Sequence, residues 1–122
     1  MACLRLTLLR PRPGAIAETQ RLLEDLDQAL SAADGLLLSF VTQVETDRLG
    51  RVALWHTKED ANRAATREHT LSLRSRLRHL ALDTQEVLMD VKSGHVPPEL
   101  TALLAGNLDV NVGHFPARAA VA

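Results

Sequence analysis

Three short segments of this chain carry apolar residues on both sides of what reads as extended backbone. In "CLRLTLLR", residues 3–10, Leu4, Leu6 and Leu8 fall on one side, with Arg5, Thr7 and Leu9 on the other. In "LLLSFVTQVE", residues 36–45, Val41 lies opposite Phe40. In "TQEVLMDVK", residues 84–92, Leu88 lies opposite Val87. Successive side chains of a strand point to opposite faces, so a sheet built from these segments is apolar on both. A layer of helices covers one face. The other must find cover elsewhere or wall a pocket.

The segments between them supply the helices and one more strand. "PRPG" ends the first strand, because proline removes a ladder donor and glycine permits a tight turn. From Ala15 to Ala33 the period becomes helical, with Leu22, Leu26 and Leu30 four apart, and Gly35 is a natural stop. "TDRLG", residues 46–50, reads as a turn and Arg51–His56 as a strand, which makes 36–56 a hairpin. Thr57 with Asp60 three positions on fits a helix N-terminal capping box. The helix that follows places Ala61, Ala65, His69, Leu73 and Leu77 in one row, with a break expected near His69, where Thr70 offers a second cap. The order is β-α-β-β-α-β, an α+β, ferredoxin-like arrangement: a four-stranded antiparallel sheet with two helices on one face. Two copies pressing their open faces together would close a barrel, so the expected partner is a second copy of the chain.

Residues 1–94 form the expected domain, and residues 95–122 a C-terminal extension. In that extension "PELTALLAG" reads as a short helix, Leu108–Val112 as a possible arm strand and Phe115 as a residue for a surface groove.

Composition narrows the function. A formal net charge of −1, two Phe, one Trp and no Tyr offer neither a general attraction for phosphate nor aromatic platforms for bases, so no nucleic-acid partner is expected. No apolar run approaches the roughly 20 residues of a membrane helix, and the chain reads as cytoplasmic with no membrane partner. Cys3 stands alone, which rules out an intrachain disulfide and reads as a small apolar residue. His56, His69, His79, His95 and His114 form no i, i+4 pair, so no metal is expected. The serines lie in no nucleophile-elbow context, and the glycines make no phosphate loop.

The stretch from Trp55 onward is similar to a known family. A strand ending in Trp55, then Thr57, then Glu59, Asp60 and Ala61 opening a helix, with His69 fourteen positions beyond the Trp, resembles the antibiotic biosynthesis monooxygenase domain. The resemblance covers residues 3–94 in element order, while its motif is confined to about fifteen residues. It implies a dimeric α+β barrel with a pocket between sheet and helices in each subunit. It also implies a cofactor-independent monooxygenase that acts on a small aromatic molecule, quinol- or phenol-like, whose electron-rich anion reduces dioxygen directly. The haem-degrading branch of the family fits poorly. Residues 3–10 hold no Asn, there is no second Trp, and Arg74 stands where that branch has its haem-ligating His. No cofactor is expected.

Within that frame His69 is the candidate general base, its ordinary pKa of about 6.5 suiting the task; a structural histidine at a helix break gives the same pattern. Trp55 reads as a core anchor or a pocket wall. His56 points to the opposite strand face, so one of the two lines a given cavity. Thr7, Ser39 and Gln43 are candidate substrate hydrogen-bonders or solvent-facing residues. Arg67, Arg74, Arg76, Arg78 and His79 read as a solvated helix face, with attraction for an anionic ligand as the other possibility. The alternative to catalysis is a dimeric ligand-binding or assembly domain.

Overall fold

The structure is a computed structural model and describes residues 1–95 and 97–100. Strand β1 (Cys3–Pro11) leads through helix α1 (Ile16–Leu30) to a hairpin of β2 (Leu36–Glu45) and β3 (Arg48–Trp55). Helices α2 (Lys58–Ala65) and α3 (Glu68–Leu80) then return the chain to β4 (Ala81–Asp90). The sheet order is β2-β3-β1-β4 and every pairing is antiparallel, the expected ferredoxin-like topology. Met1–Val91 is one compact unit, and the residues from Lys92 on are a second. The tail features expected from the sequence (a helix over 98–106, a strand over 108–112 and the placement of Phe115) rest on residues outside the described ones.

One face of the sheet packs the helices. Its buried residues are Cys3 and Leu9 from β1, Leu49, Ala53 and Trp55 from β3, and Ala81 from β4. They meet Leu22, Leu23, Leu26 and Leu30 of α1, Ala61 and Ala64 of α2, and Leu73 and Leu77 of α3. The opposite face carries two apolar rows that cross all four strands. Phe40, Val52, Leu6 and Val87 are consecutive cross-strand neighbours, as are Leu38, Leu54, Leu4 and Met89. Val87 and Met89 are exposed, and the rest are half-buried by one another.

Helix α2 starts as the sequence indicates: Thr57 Oγ1 accepts a hydrogen bond from the Asp60 backbone N–H at 3.0 Å. The Asp60 carboxylate does not complete the box; it takes Arg63 Nη1 at 3.0 Å. The expected break falls at Thr66 and Arg67, where Arg67 is extended, and α3 restarts in a new phase. Thr70, Leu73 and Leu77 now point inward and His69 is exposed, so His69 does not share the buried row assigned to it. The phase slip at the break is the cause. At the far end of α3, the Arg12 backbone N–H and Nε reach the Leu80 and His79 carbonyls at 2.8 and 3.1 Å. These bonds satisfy terminal acceptors that the helix leaves open.

The hairpin connection is shorter than expected. β3 begins at Arg48, leaving Thr46 and Asp47 between the strands. Gly50, which reads as a turn residue, is a strand residue instead: a Cβ there would lie 2.8 Å from the Thr7 carbonyl oxygen. Its role is close approach between β3 and β1. Gly35 has a different one. Its φ of +86° is left-handed, and a Cβ would fall 2.2 Å from Asp60 Oδ2 and 2.6 Å from Asp60 Cβ. Gly35→Ala is therefore expected to destabilise the fold by about 2 kcal/mol or more, from the left-handed backbone together with the clash. Urea titration checks it, since Gly14→Ala, at the same kind of φ but with nothing within 4 Å, should lose less.

Candidate active site

Between the sheet and all three helices lies a cavity of about 70 Å³. Its apolar wall is Leu9, Leu26, Leu30, Ala61, Ala65 and Leu77. Its polar wall is Arg5 and Thr7 from β1, Arg51 and Trp55 from β3, Thr84 and Glu86 from β4, and Thr70, Arg74 and Arg78 from α3. The space exists because small residues stand where large ones would fill it. Arg5 sits directly across from Ala53, and Ala53 is flanked on the same face of β3 by Arg51 and Trp55. These three long side chains ring a methyl group, and the alanines of α2 lie over them.

Arg51 is buried, 4% exposed, and its Nε donates to Asp27 Oδ1 at 2.9 Å. Arg5 Nη2 donates to Asn62 Oδ1 at 3.2 Å, and its Nη1 lies 3.9 Å from Glu86 Oε2. Arg74 Nη2 donates to the same Glu86 oxygen at 2.7 Å. Burial pushes the Arg51 guanidinium below its ordinary value, opposed by the charge and hydrogen bond of Asp27. Burial does the same to Arg5, opposed by Glu86 and reinforced by Arg74. Both stay cationic near neutrality.

Three buried donors in this wall have no acceptor among the described residues: Arg5 Nε, Arg51 Nη2 and Trp55 Nε1. Buried polar groups are nearly always hydrogen-bonded, so three in one cavity mark a place that a ligand's oxygen atoms would complete.

Of the residues singled out from sequence, Trp55 and Thr7 line this cavity. His56 is exposed; Trp55 is the member of that pair that faces the helices. Ser39 and Gln43 share the helix-side face with Ala53 and Leu49 but sit on the edge strand, outside the wall. His69 is outside it too. The arginines and Glu86 were the harder residues to find. Their signal was present: Arg5 alternates with Cys3 and Leu9, and Arg51 with Leu49 and Ala53, on faces that are otherwise apolar.

Among the described residues no group of three or more His, Cys, Asp or Glu is placed to hold a metal. The wall contains neither His nor Cys, and Arg74 has no lone pair to offer iron, so these residues do not fit a haem. No helix among them is long and apolar enough to cross a membrane.

No family model matches the sequence, and no curated protein matches it. Solved structures do. Rv0793 from Mycobacterium tuberculosis superposes with a TM-score of 0.73 at 14% identity, over 79% of this chain and 100% of that one. SnoaB, a cofactor-independent oxygenase from Streptomyces nogalater, superposes with a TM-score of 0.68 at 15% identity, over 76% and 95%. A candidate antibiotic biosynthesis monooxygenase from Chloroflexus aurantiacus gives 0.66 at 16%, over 79% and 98%. The chain has the fold of the antibiotic biosynthesis monooxygenase proteins, as the residues around Trp55 implied, and that fold includes monooxygenases.

Proposed function

We propose that the chain is a homodimeric, cofactor-independent monooxygenase that acts on a small aromatic, quinol- or phenol-like molecule at the Trp55 cavity. The observation that carries this reading is the convergence of Trp55 Nε1 and two arginine donors, all unpaired, on a largely apolar space. Such donors stabilise an oxyanion in a dry site far better than water does. In the proposed step, a ring CH₂ beside a carbonyl loses a proton and becomes an enolate. The enolate passes electrons to dioxygen, and the C–O bond that forms gives, once protonated, a hydroperoxide. Loss of water from it leaves a second carbonyl. One oxygen atom enters the product, the other leaves as water, and the substrate supplies the electrons.

Glu86 is the one carboxylate in the wall and takes the proton in this scheme, its partial exposure allowing release to solvent. His69, exposed on α3, is the competing base. Oxygen uptake with a panel of hydroquinones and anthrones decides between them. Protein-dependent uptake is expected, with Glu86→Gln lowering the rate by about 10²–10⁴. Loss in His69→Ala instead would return the proton step to the helix.

One observation favours a second reading, a dimeric binding domain without catalysis. The cavity of about 70 Å³ is small beside the roughly 150 Å³ of a cavity known to take up benzene. On the enzymatic reading the oxygen-bearing edge of the ring enters and the rest lies at the mouth. Binding without uptake of oxygen by any member of the panel would make the second reading the right one.

A further inference from the structure

We propose that the molecule held in this cavity carries a carboxylate, seated on the unpaired donors of Arg5, Arg51 and Trp55. This rests on the reading of the Trp55 cavity as the ligand site, and it does not depend on whether the bound molecule is oxygenated.

Charge makes the first case. Four guanidiniums line the space, from Arg5, Arg51, Arg74 and Arg78. Two carboxylates answer them, Glu86 in the wall and Asp27 on Arg51, so two positive charges remain uncompensated. An anion entering here meets a field already set for it, in a medium that screens poorly. A neutral phenol would leave that excess in place.

Geometry makes the second. The donors come from three positions around Ala53 on one face of two adjacent strands, not from a flexible loop. Arg51 and Trp55 are 4% and 1% exposed, and each has a donor atom without an acceptor among the described residues. A carboxylate offers two oxygens with about four lone-pair sites, enough for three N–H groups, and a single phenolate oxygen is harder to share among donors on two strands. About 70 Å³ accommodates such a group and little more. Arg74 adds positive charge beside Arg5 and Arg51, and burial weakens their hold on the proton; a bound anion would offset both effects.

The chain offers its own reporter. Trp55 is the single Trp and there is no Tyr, so intrinsic fluorescence comes from the cavity wall alone. Benzoate, benzamide and inorganic phosphate are titrated under nitrogen at constant ionic strength. The proposal predicts a saturable change with benzoate and an affinity for benzamide lower by roughly tenfold or more, the loss expected of a charge-assisted contact. Arg5→Leu should lose benzoate affinity to a similar extent. It is the suitable variant because Glu86 keeps Arg74, whereas removing Arg51 would strand Asp27. If Arg5→Leu does not fold, Arg5→Lys keeps the charge, lacks the Nε–H and should show the same loss.

No saturable response to benzoate, equal binding of benzamide, tighter binding of phosphate, or full affinity in the folded Arg5 variant would each overturn the proposal. Selective benzoate binding with no oxygen uptake from the quinol panel would overturn the oxygenase reading alone. Uptake with neutral quinols that benzoate does not inhibit would overturn the carboxylate alone.

Discussion

Asp27→Ala is expected to lower the free energy of unfolding by about 3–5 kcal/mol, a loss usual for one partner of a buried ion pair. Arg51 is almost fully enclosed between the sheet and α1, and Asp27 Oδ1 is its single carboxylate contact, at 2.9 Å. Without Asp27 the guanidinium stays buried with Nε and Nη2 both short of acceptors. The penalty is that of a stranded charge, not of a lost surface bridge. Two companions separate these causes. Asp27→Asn keeps an acceptor and should fall between wild type and Asp27→Ala. The double variant Asp27→Leu, Arg51→Met removes both charges and should recover most of the loss. Urea denaturation with an unchanged m-value measures all three. A loss within about 1 kcal/mol for Asp27→Ala would mean that water reaches Arg51, and that the cavity is wetter than its walls imply.

The other large effect concerns the open sheet face. Val52→Asp is expected to convert a dimer into a folded monomer. Val52 lies at the centre of the row Phe40, Val52, Leu6, Val87, on one of the two inner strands. If two such faces meet about a two-fold axis, one substitution buries two unpaired carboxylates at the interface. Each costs several kcal/mol, so the dimer dissociation constant should rise by about 10⁴ or more. Val52→Leu keeps the apolar row and should leave the dimer intact. Light scattering at micromolar concentration reads both, with circular dichroism to show that the monomer keeps its fold. A wild-type chain that is already monomeric would contradict the homodimer. The rows of Leu, Val, Phe and Met would then need another partner.

Much of the fold was legible because the residues that build it obey simple periods. β1 alternates, α1 repeats leucine every four residues, and Thr57 caps as Thr usually does. What misled were residues whose role is set by distant neighbours. Gly50 reads as a turn until the Thr7 carbonyl is seen pressing on it from the next strand. β4 starts at Ala81 because Arg12 fastens the end of α3 directly to β1, a contact that no local pattern announces. His69 reads as buried only if α2 and α3 keep one phase, and they do not.

The site was legible in part for the same reason. Trp55 stands out as a lone aromatic at a strand end, and Thr7 as a polar residue between apolar ones. Arg5 and Arg51 pass for solvent-facing strand residues because arginine is seldom buried without a partner. Only the register, which sets Arg5 against Ala53 between Arg51 and Trp55, shows them converging. Arg74 belongs to a basic helix face, and Glu86 draws it inward.

The central claim is that Trp55 Nε1 waits for an acceptor that a bound molecule supplies. With one Trp in the chain, a ¹⁵N-labelled sample gives a single indole N–H resonance, which can be followed while a quinol active in the oxygen assay is added under nitrogen. The account predicts that this resonance moves saturably downfield as the hydrogen bond forms. Saturation of resonances elsewhere while the indole signal stays still would put the ligand in another place and leave the Trp55 cavity a feature of the core.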